Sequence, residues 1–428
     1  MSAGRYPPAS IAWSIWALGA ALYLGGFFQR VAPAVMTQEL MAEFSISAAG
    51  LGNLSAFYLY GYVAMQIPTG LMVDRFGARR VLAAGAAVAA LGSLLFAVAP
   101  NLLLAKLGRL LIGGSVGVAW VGTLKLAAHW LPAKRFALAS GLALAAGMAG
   151  AVGAGVPLRW GVGELGWRPV MLSVALGMAI VCVAIWLAVR DDPAEHGYAS
   201  FFSGARPQGR HESVWRGLRE VLGYRNSWIL FLAPQGVTGA TISFGGLWGV
   251  PYLVSVYGFS QERAALYCSM LMIAWAIGGP LFGALSDRVG ERKPLYVLCL
   301  LCALIMWSII VLQPGLGPTV LLVLLVAAGI FAGVMVTGFA FAKESVPARF
   351  AGTAGGVANM GSMTGPMVLQ PAIGVLLDMN WAGALSVSGA RQYDAGAFRA
   401  AFGLLLVWLA VSLLATLLAR ETHCRQTP

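Results

Sequence analysis

The sequence predicts an all-α membrane protein of twelve transmembrane helices arranged as two six-helix halves. Three observations predict it: a composition too apolar to face water, apolar stretches of membrane-crossing length, and a basic loop that occurs twice. Of 428 residues, 59% are hydrophobic and 10% charged, where a globular domain carries about 25% charged side chains. Stretches such as Val81 to Val98, Val170 to Val189 and Leu295 to Leu312 can each cross a hydrocarbon layer about 30 Å thick. The 55 glycines would weaken soluble helices, but in a bilayer small residues let helix backbones approach closely.

The first span, roughly Ala12 to Val35, is too long for a signal-peptide core and is read as retained. The others begin near Leu51, Val81, Leu102, Phe136, Val170, Ile229, Ala264, Leu295, Thr319, Gly352 and Phe398. Twelve spans place both termini on one side. If that side is the cytoplasm, most of the 28 Lys and Arg lie in or beside cytoplasmic loops, whereas Arg159, Arg168, Arg263, Arg391 and Arg399 fall opposite. That asymmetry follows the positive-inside rule and predicts a multi-pass protein of a bacterial plasma membrane, the inner one in a two-membrane cell. It also accounts for the net charge of +12 without nucleic acid, since the basic residues form no groove-reading cluster.

Between Arg190 and Arg225 the chain turns polar. The expected organisation is therefore residues 1–190 as the first half, 191–225 as a cytoplasmic linker and 226–428 as the second half. The offset that carries Asp74 onto Asp287 also aligns Gly70, Arg75, Gly77 and Arg79 with Gly283, Arg288, Gly290 and Arg292. Both copies follow the second span of a half, marking a duplicated six-helix unit. Pro132, Arg135 and Gly141 are echoed more loosely by Pro347, Arg349 and Gly355. Of five cysteines, only Cys299 and Cys302 are suggestively spaced, and both lie in an apolar span, where packing is the expected role.

The Gly-x-x-x-Asp-Arg-x-Gly-x-Arg-Arg loop, its echo and the basic linker after six spans resemble the major facilitator superfamily along essentially the whole chain. The resemblance implies a carrier working by alternating access, with the loop as a conformational lock. Its aspartate, Asp74, would face the start of the eleventh helix, and Arg75 and Arg79 would pair with neighbouring helix ends, with Asp287, Arg288, Gly290 and Arg292 as the second copy. A carboxylate at a helix N-terminus gains about 0.3–1 kcal/mol, enough to bias a two-state equilibrium. A purely topogenic basic loop is the simpler alternative.

Polar residues gather in spans one, two, four, seven and eleven, while the third, sixth, ninth and twelfth hold no charged residue and no Asn or Gln. The polar helices are expected to surround a cavity between the halves. Arg30, following Gln29 in span one, and Arg109 in span four lie at comparable depth, and no acid occurs in either span. A planar guanidinium grips carboxylate, sulfate or phosphate through two parallel hydrogen bonds, so the expected solute is a small anion. Snorkelling to the interface, or bonding to helix carbonyls, is the structural alternative. The organic-anion symporter branch looks similar, with an arginine in span one and another opening span four. Where that branch often has an acid before the first arginine, this chain has Gln29. Where it has a proton-carrying glutamate, this chain has Val116.

Further candidate solute contacts are Tyr58 in span two, Gln235 and Thr238 in span seven, and Asn359, Ser362 and Gln370, which form with Pro366 a stripe along span eleven. Such residues also serve as interhelical glue. Lys125 and His129, one turn apart, are candidates for titration or for simple anchoring. All Asp and Glu lie in loops or at span edges, Glu344 and Asp378 being nearest to burial, so a coupling proton or counter-solute is left open. Span five lacks the Gly-Pro pair that drug antiporters of the family carry there, which favours uptake over proton-driven efflux of amphipathic compounds. No cluster of catalytic groups supports an enzyme, and no cofactor or metal is implied. A membrane sensor that does not transport is the remaining alternative. The expected partners are the solute and the lipid bilayer, with the chain working as a monomer.

Overall fold

The computed structural model describes residues 6–201, 214–313, 315–386 and 389–427. These are almost entirely helical. Linker residues Arg206, Pro207, Arg210 and Glu212 lie outside them.

Among the described residues twelve long helices run in order: α1 (Ala9–Val31), α2 (Ala48–Phe76), α3 (Ala78–Ala97), α4 (Leu102–Trp130), α5 (Ala133–Gly153), α6 (Trp167–Ala188), α7 (Arg225–Ser243), α8 (Gln261–Val289), α9 (Lys293–Leu312), α10 (Pro318–Ala332), α11 (Ala351–Met379) and α12 (Ala395–Leu417). Each begins within about a turn of the position expected from hydropathy. Among the described residues, eleven helical stretches are long and apolar enough to cross a membrane. The remaining long helix, α2, has 29 residues but carries Asn53, Gln66 and three tyrosines, as an interior helix does.

Local chemistry sets the boundaries. Asn101, Ser260 and Asp394 cap α4, α8 and α12 by accepting the N–H of Leu104, Arg263 and Ala397 at 3.0, 3.2 and 2.8 Å. Pro318 opens α10, where its missing N–H costs nothing. Helix α7 passes through one π turn, Phe244–Trp248, before continuing as Gly249–Tyr257. Nothing in the apolar periodicity marks that turn, although Gly245-Gly246 lies inside it.

The chain clusters into two units. One is drawn from Met1–Arg30, Tyr60–Ala154 and Gly161–Arg210, the other from Val31–Leu59, Gly155–Trp160 and His211–Pro428. In the first unit α3 packs on α4 and α6; in the second the equivalent helix, α9, packs on α10 and α12. The second unit also holds Val31, the last residue of α1, and the first turns of α2, so unit and half do not coincide there.

Candidate functional site: a buried arginine pair

The first-unit site is built on a close helix crossing. A Cβ on Gly92 of α3 would lie 2.8 Å from the Gly108 carbonyl oxygen, and one on Gly108 would lie 2.7 Å from that of Gly92. Only glycine permits this approach, so Ser93 and Arg109, the next residues, project from the α3–α4 seam at one level. There they meet α1 at Gln29. Ser93 Oγ lies 2.6 Å from Gln29 Oε1, and Arg109 Nη1 donates to the Gln29 carbonyl at 2.5 Å.

The Gln29 carbonyl is available for a simple reason. Its ordinary helical donor would be residue 33, and Pro33 has no N–H. Arg109 fills that gap with one of its five donors. The sequences of α1, α3, α4 and α5 contain no Asp or Glu. Arg109 is 1% exposed and Arg30 6%, so neither head group sits in bulk solvent. The Arg30 guanidinium carbon lies 4.2 Å from the Phe27 ring centre and 5.0 Å from that of Tyr62, a setting worth about 2 kcal/mol when desolvated. Arg109 of α4 thus contacts α1 at the residue before Arg30. Two turns further along α4, Gly117 packs on Met65: a Cβ there would lie 2.9 Å from Met65 Cβ.

Tyr58, Gln235, Thr238, Asn359, Ser362 and Gln370 belong to the second unit. There the Gly361-x-x-x-Gly365-Pro366 stretch of α11 lies against the α7 backbone at Phe231 and Gln235. Pro366 leaves the Ser362 carbonyl without its helical donor, and the Thr238 hydroxyl supplies one at 2.6 Å. The Gln370 carbonyl accepts from Trp248 Nε1 at 3.0 Å, and Gln235 Nε2 bonds back to Phe231 O at 3.1 Å. Ser362 Oγ donates to Asn359 O at 2.8 Å. Of these bonds, the two on the Ser362 and Gln370 carbonyls join α11 to α7 and its continuation, and the two from Gln235 Nε2 and Ser362 Oγ stay within their own helix. Tyr58 is fully buried.

The two loop copies share a frame that the pairwise sequence match reveals only in part. Gly77 and Gly290 both take positive φ, 85° and 75°, which explains the repeated glycine. Asp74 pairs with Lys125 at 3.1 Å, and Lys125 also donates to Val73 O at 2.8 Å. Arg79 donates to the Trp186 carbonyl at the end of α6, at 2.7 and 3.1 Å. In the second copy Arg292, 7% exposed, pairs with Glu344 at 2.7 Å and Asp287 at 2.6 Å.

Two acids that the sequence offered no reason to single out complete this frame. Asp191, after α6, accepts the Arg79 N–H at 2.8 Å. Glu421, after α12, accepts those of Arg292 and Lys293 at 3.0 and 2.6 Å. Each therefore caps the start of the third helix of its half. Burial alone would raise the Glu421 carboxyl, but the N–H groups of Arg292, His423, Lys293 and Thr422 hold it below the usual carboxylate range. His129 meets Asp192 at 3.0 Å. Burial would likewise raise Asp192, yet the Ala194 N–H, His129 and Ser200 hold it low. Among the described residues, no group of three or more His, Cys, Asp or Glu side chains converges on a metal position.

With this geometry in place, likeness to known proteins is informative. The Major Facilitator Superfamily sequence model matches residues 15–370. The probable sulfoacetate transporter SauU of Cupriavidus necator is 24% identical over 377 residues, 83% of this chain and 85% of that one. The probable galactarate/D-glucarate transporter GudP of Escherichia coli is 24% identical, over 81% and 83%. The gallate transporter of Pseudomonas putida is 26% identical, over 87% and 88%. Among solved structures, a bacterial homologue of the human lysosomal transporter Spinster, inward-facing and unoccupied, superposes with a TM-score of 0.75 at 20% identity, over 99% of this chain and 100% of that one. The nucleoside transporter NupG gives 0.72 at 13%, over 96% and 100%. At those identities the structural likeness speaks for the fold.

Proposed function

Since the chain belongs to the Major Facilitator Superfamily and is a membrane transporter rather than an enzyme, we propose that its solute is a small organic anion gripped by Arg30 and Arg109. The observation that supports this reading is the burial of both arginines, with Arg109 held on the carbonyl of Gln29, the residue before Arg30. Buried cations in a span are costly, and those found there pair with one another or with backbone carbonyls and mark solute pathways. The solutes named for the relatives, sulfoacetate, galactarate, D-glucarate and gallate, all carry a carboxylate at neutral pH, and sulfoacetate a sulfonate as well. A guanidinium fork suits both groups.

In this reading Gln29 adds a neutral amide donor and Ser93 orients it. Transport proceeds by alternating access. Flux is inward, both termini lie in the cytoplasm, and the chain works as a monomer in the bacterial inner membrane. The inward direction draws support from α5, where no Gly-Pro pair occurs. Because α1, α3, α4 and α5 contain no acid, any coupling proton is carried elsewhere or by the solute itself.

Thermal-shift measurements on the purified carrier and counterflow in liposomes, with a panel of carboxylates and of lipophilic cations, test the proposal. Carboxylates should raise the unfolding temperature and drive counterflow. Stabilisation and counterflow by the cations alone would overturn it.

A further inference from the structure

Asp378 occupies an odd position for a carboxylate. It lies in the last turn of α11, where the negative end of the helix dipole disfavours an acid. Yet its oxygens accept the Ala49 N–H at 2.9 Å and the Ala48 N–H at 3.3 Å. Those are the first two amides of α2, which have no partner within their own helix. The Tyr393 hydroxyl donates to Asp378 at 2.6 Å and accepts the Ala48 N–H at 3.1 Å, and Arg391 pairs with Asp378 at 3.1 Å. The Asp378 side chain is 17% exposed.

The backbone is shaped for this contact. A Cβ on Gly374, one turn before Asp378, would collide with the Ala48 carbonyl, and one on Gly52 with the Gln370 carbonyl. Gln370, Gly374 and Asp378 recur every four residues, so the polar stripe of α11 continues into a seam ending on the α2 N-terminus. The joined elements come from opposite halves of the sequence, although Val31–Leu59 clusters with the second unit. The seam lies at the ends of α2 and α11 remote from the basic loops. At the other end of α2, Asp74 is 71% exposed.

We propose that Asp378 is the latch of the membrane face opposite the basic loops, holding that face closed by capping α2 and releasing it when the carrier opens there. A charge-assisted cap is strong enough to set a conformational population and weak enough to break in each cycle. The inference is independent of which solute is carried.

The test is accessibility of a cysteine at Ser55, one heptad along α2 from Ala48 and 2% exposed. A membrane-impermeant thiol reagent is applied from the face opposite the basic loops, and labelling of the chain without Ser55→Cys is subtracted. Asp378→Asn should raise the labelling rate about tenfold, the release expected from loss of a charged cap. Ala48→Pro should do likewise, because it deletes one captured N–H at a helical position that tolerates proline; it decides the matter if Asp378→Asn does not fold. Unchanged labelling in folded variants, or a rise only from the basic-loop face, would overturn the proposal.

Discussion

Arg109→Lys keeps the positive charge and most of the buried stem but replaces the planar fork with a single ammonium. One Arg109 donor is held by the Gln29 carbonyl at 2.5 Å, and an ammonium placed there cannot also present two parallel N–H groups to a carboxylate. Loss of one charge-assisted hydrogen bond costs about 1.5–3 kcal/mol, or about ten- to a hundredfold in Kd. Isothermal titration of the purified variant with the most stabilising carboxylate of the panel measures it. The structural part of the role can be separated from the binding part. Pro33→Ala restores an N–H for the Gln29 carbonyl, so adding it to Arg109→Ala should recover about 1–2 kcal/mol of the stability lost while leaving binding absent. If Arg109→Lys binds within twofold of wild type, or if Pro33→Ala rescues binding as well as stability, Arg109 is only a filler of the proline gap and the reasoning fails.

Three further outcomes follow from the same structure. Thr238→Val should lower stability by about 1–3 kcal/mol, because it strands the Ser362 carbonyl freed by Pro366, and Pro366→Ala should return most of it in thermal unfolding; a Thr238→Val protein of unchanged stability would show the bond to be idle. Arg292→Ala should cost about 3 kcal/mol or more by leaving Glu344 buried without its partner, whereas Arg79→Ala, on an exposed carbonyl contact, should cost under about 1 kcal/mol; equal losses would refute the distinction. Glu421 has its carboxyl held low in the folded chain, so its contribution is fully present above the ordinary glutamate value of about 4.3 and is lost as pH falls from there through its lower folded value. Glu421→Gln should flatten that acid limb in unfolding scans.

The span pattern was legible because hydrocarbon thickness dictates helix length, and apolar runs such as Leu295 to Leu312 record it directly. The duplicated loop was legible because each copy needs glycine at positive φ, at Gly77 and Gly290, beside charged residues of fixed type. Arg30 and Arg109 stood out as cations in apolar helices, and the structure bonds Arg109 to the carbonyl of Gln29, the residue before Arg30. The partners of the loops were hidden. Asp191 and Glu421 reach third-helix amides more than a hundred residues away in sequence, and no local pattern encodes such a meeting. Lys125 is likewise fixed by Asp74, a neighbour only in the folded chain. The proline gaps were readable in principle: Pro33 and Pro366 each announce an orphan carbonyl four residues earlier, at Gln29 and Ser362. What filled those gaps was not readable, since it depends on helix pairing. Asp378 carried a signal in its four-residue spacing from Gly374 and Gln370, but only the crossing with α2 gives that stripe its meaning.

The most direct measurement is anomalous diffraction from crystals of the carrier soaked with a brominated carboxylate, beside crystals of Arg109→Ala treated in the same way. The expected result is a bromine peak whose carboxylate lies within hydrogen-bonding reach of the guanidinium groups of Arg30 and Arg109, absent in the variant. Bromine density elsewhere in the carrier, with none beside these two side chains in the wild type, would contradict the proposed anion site.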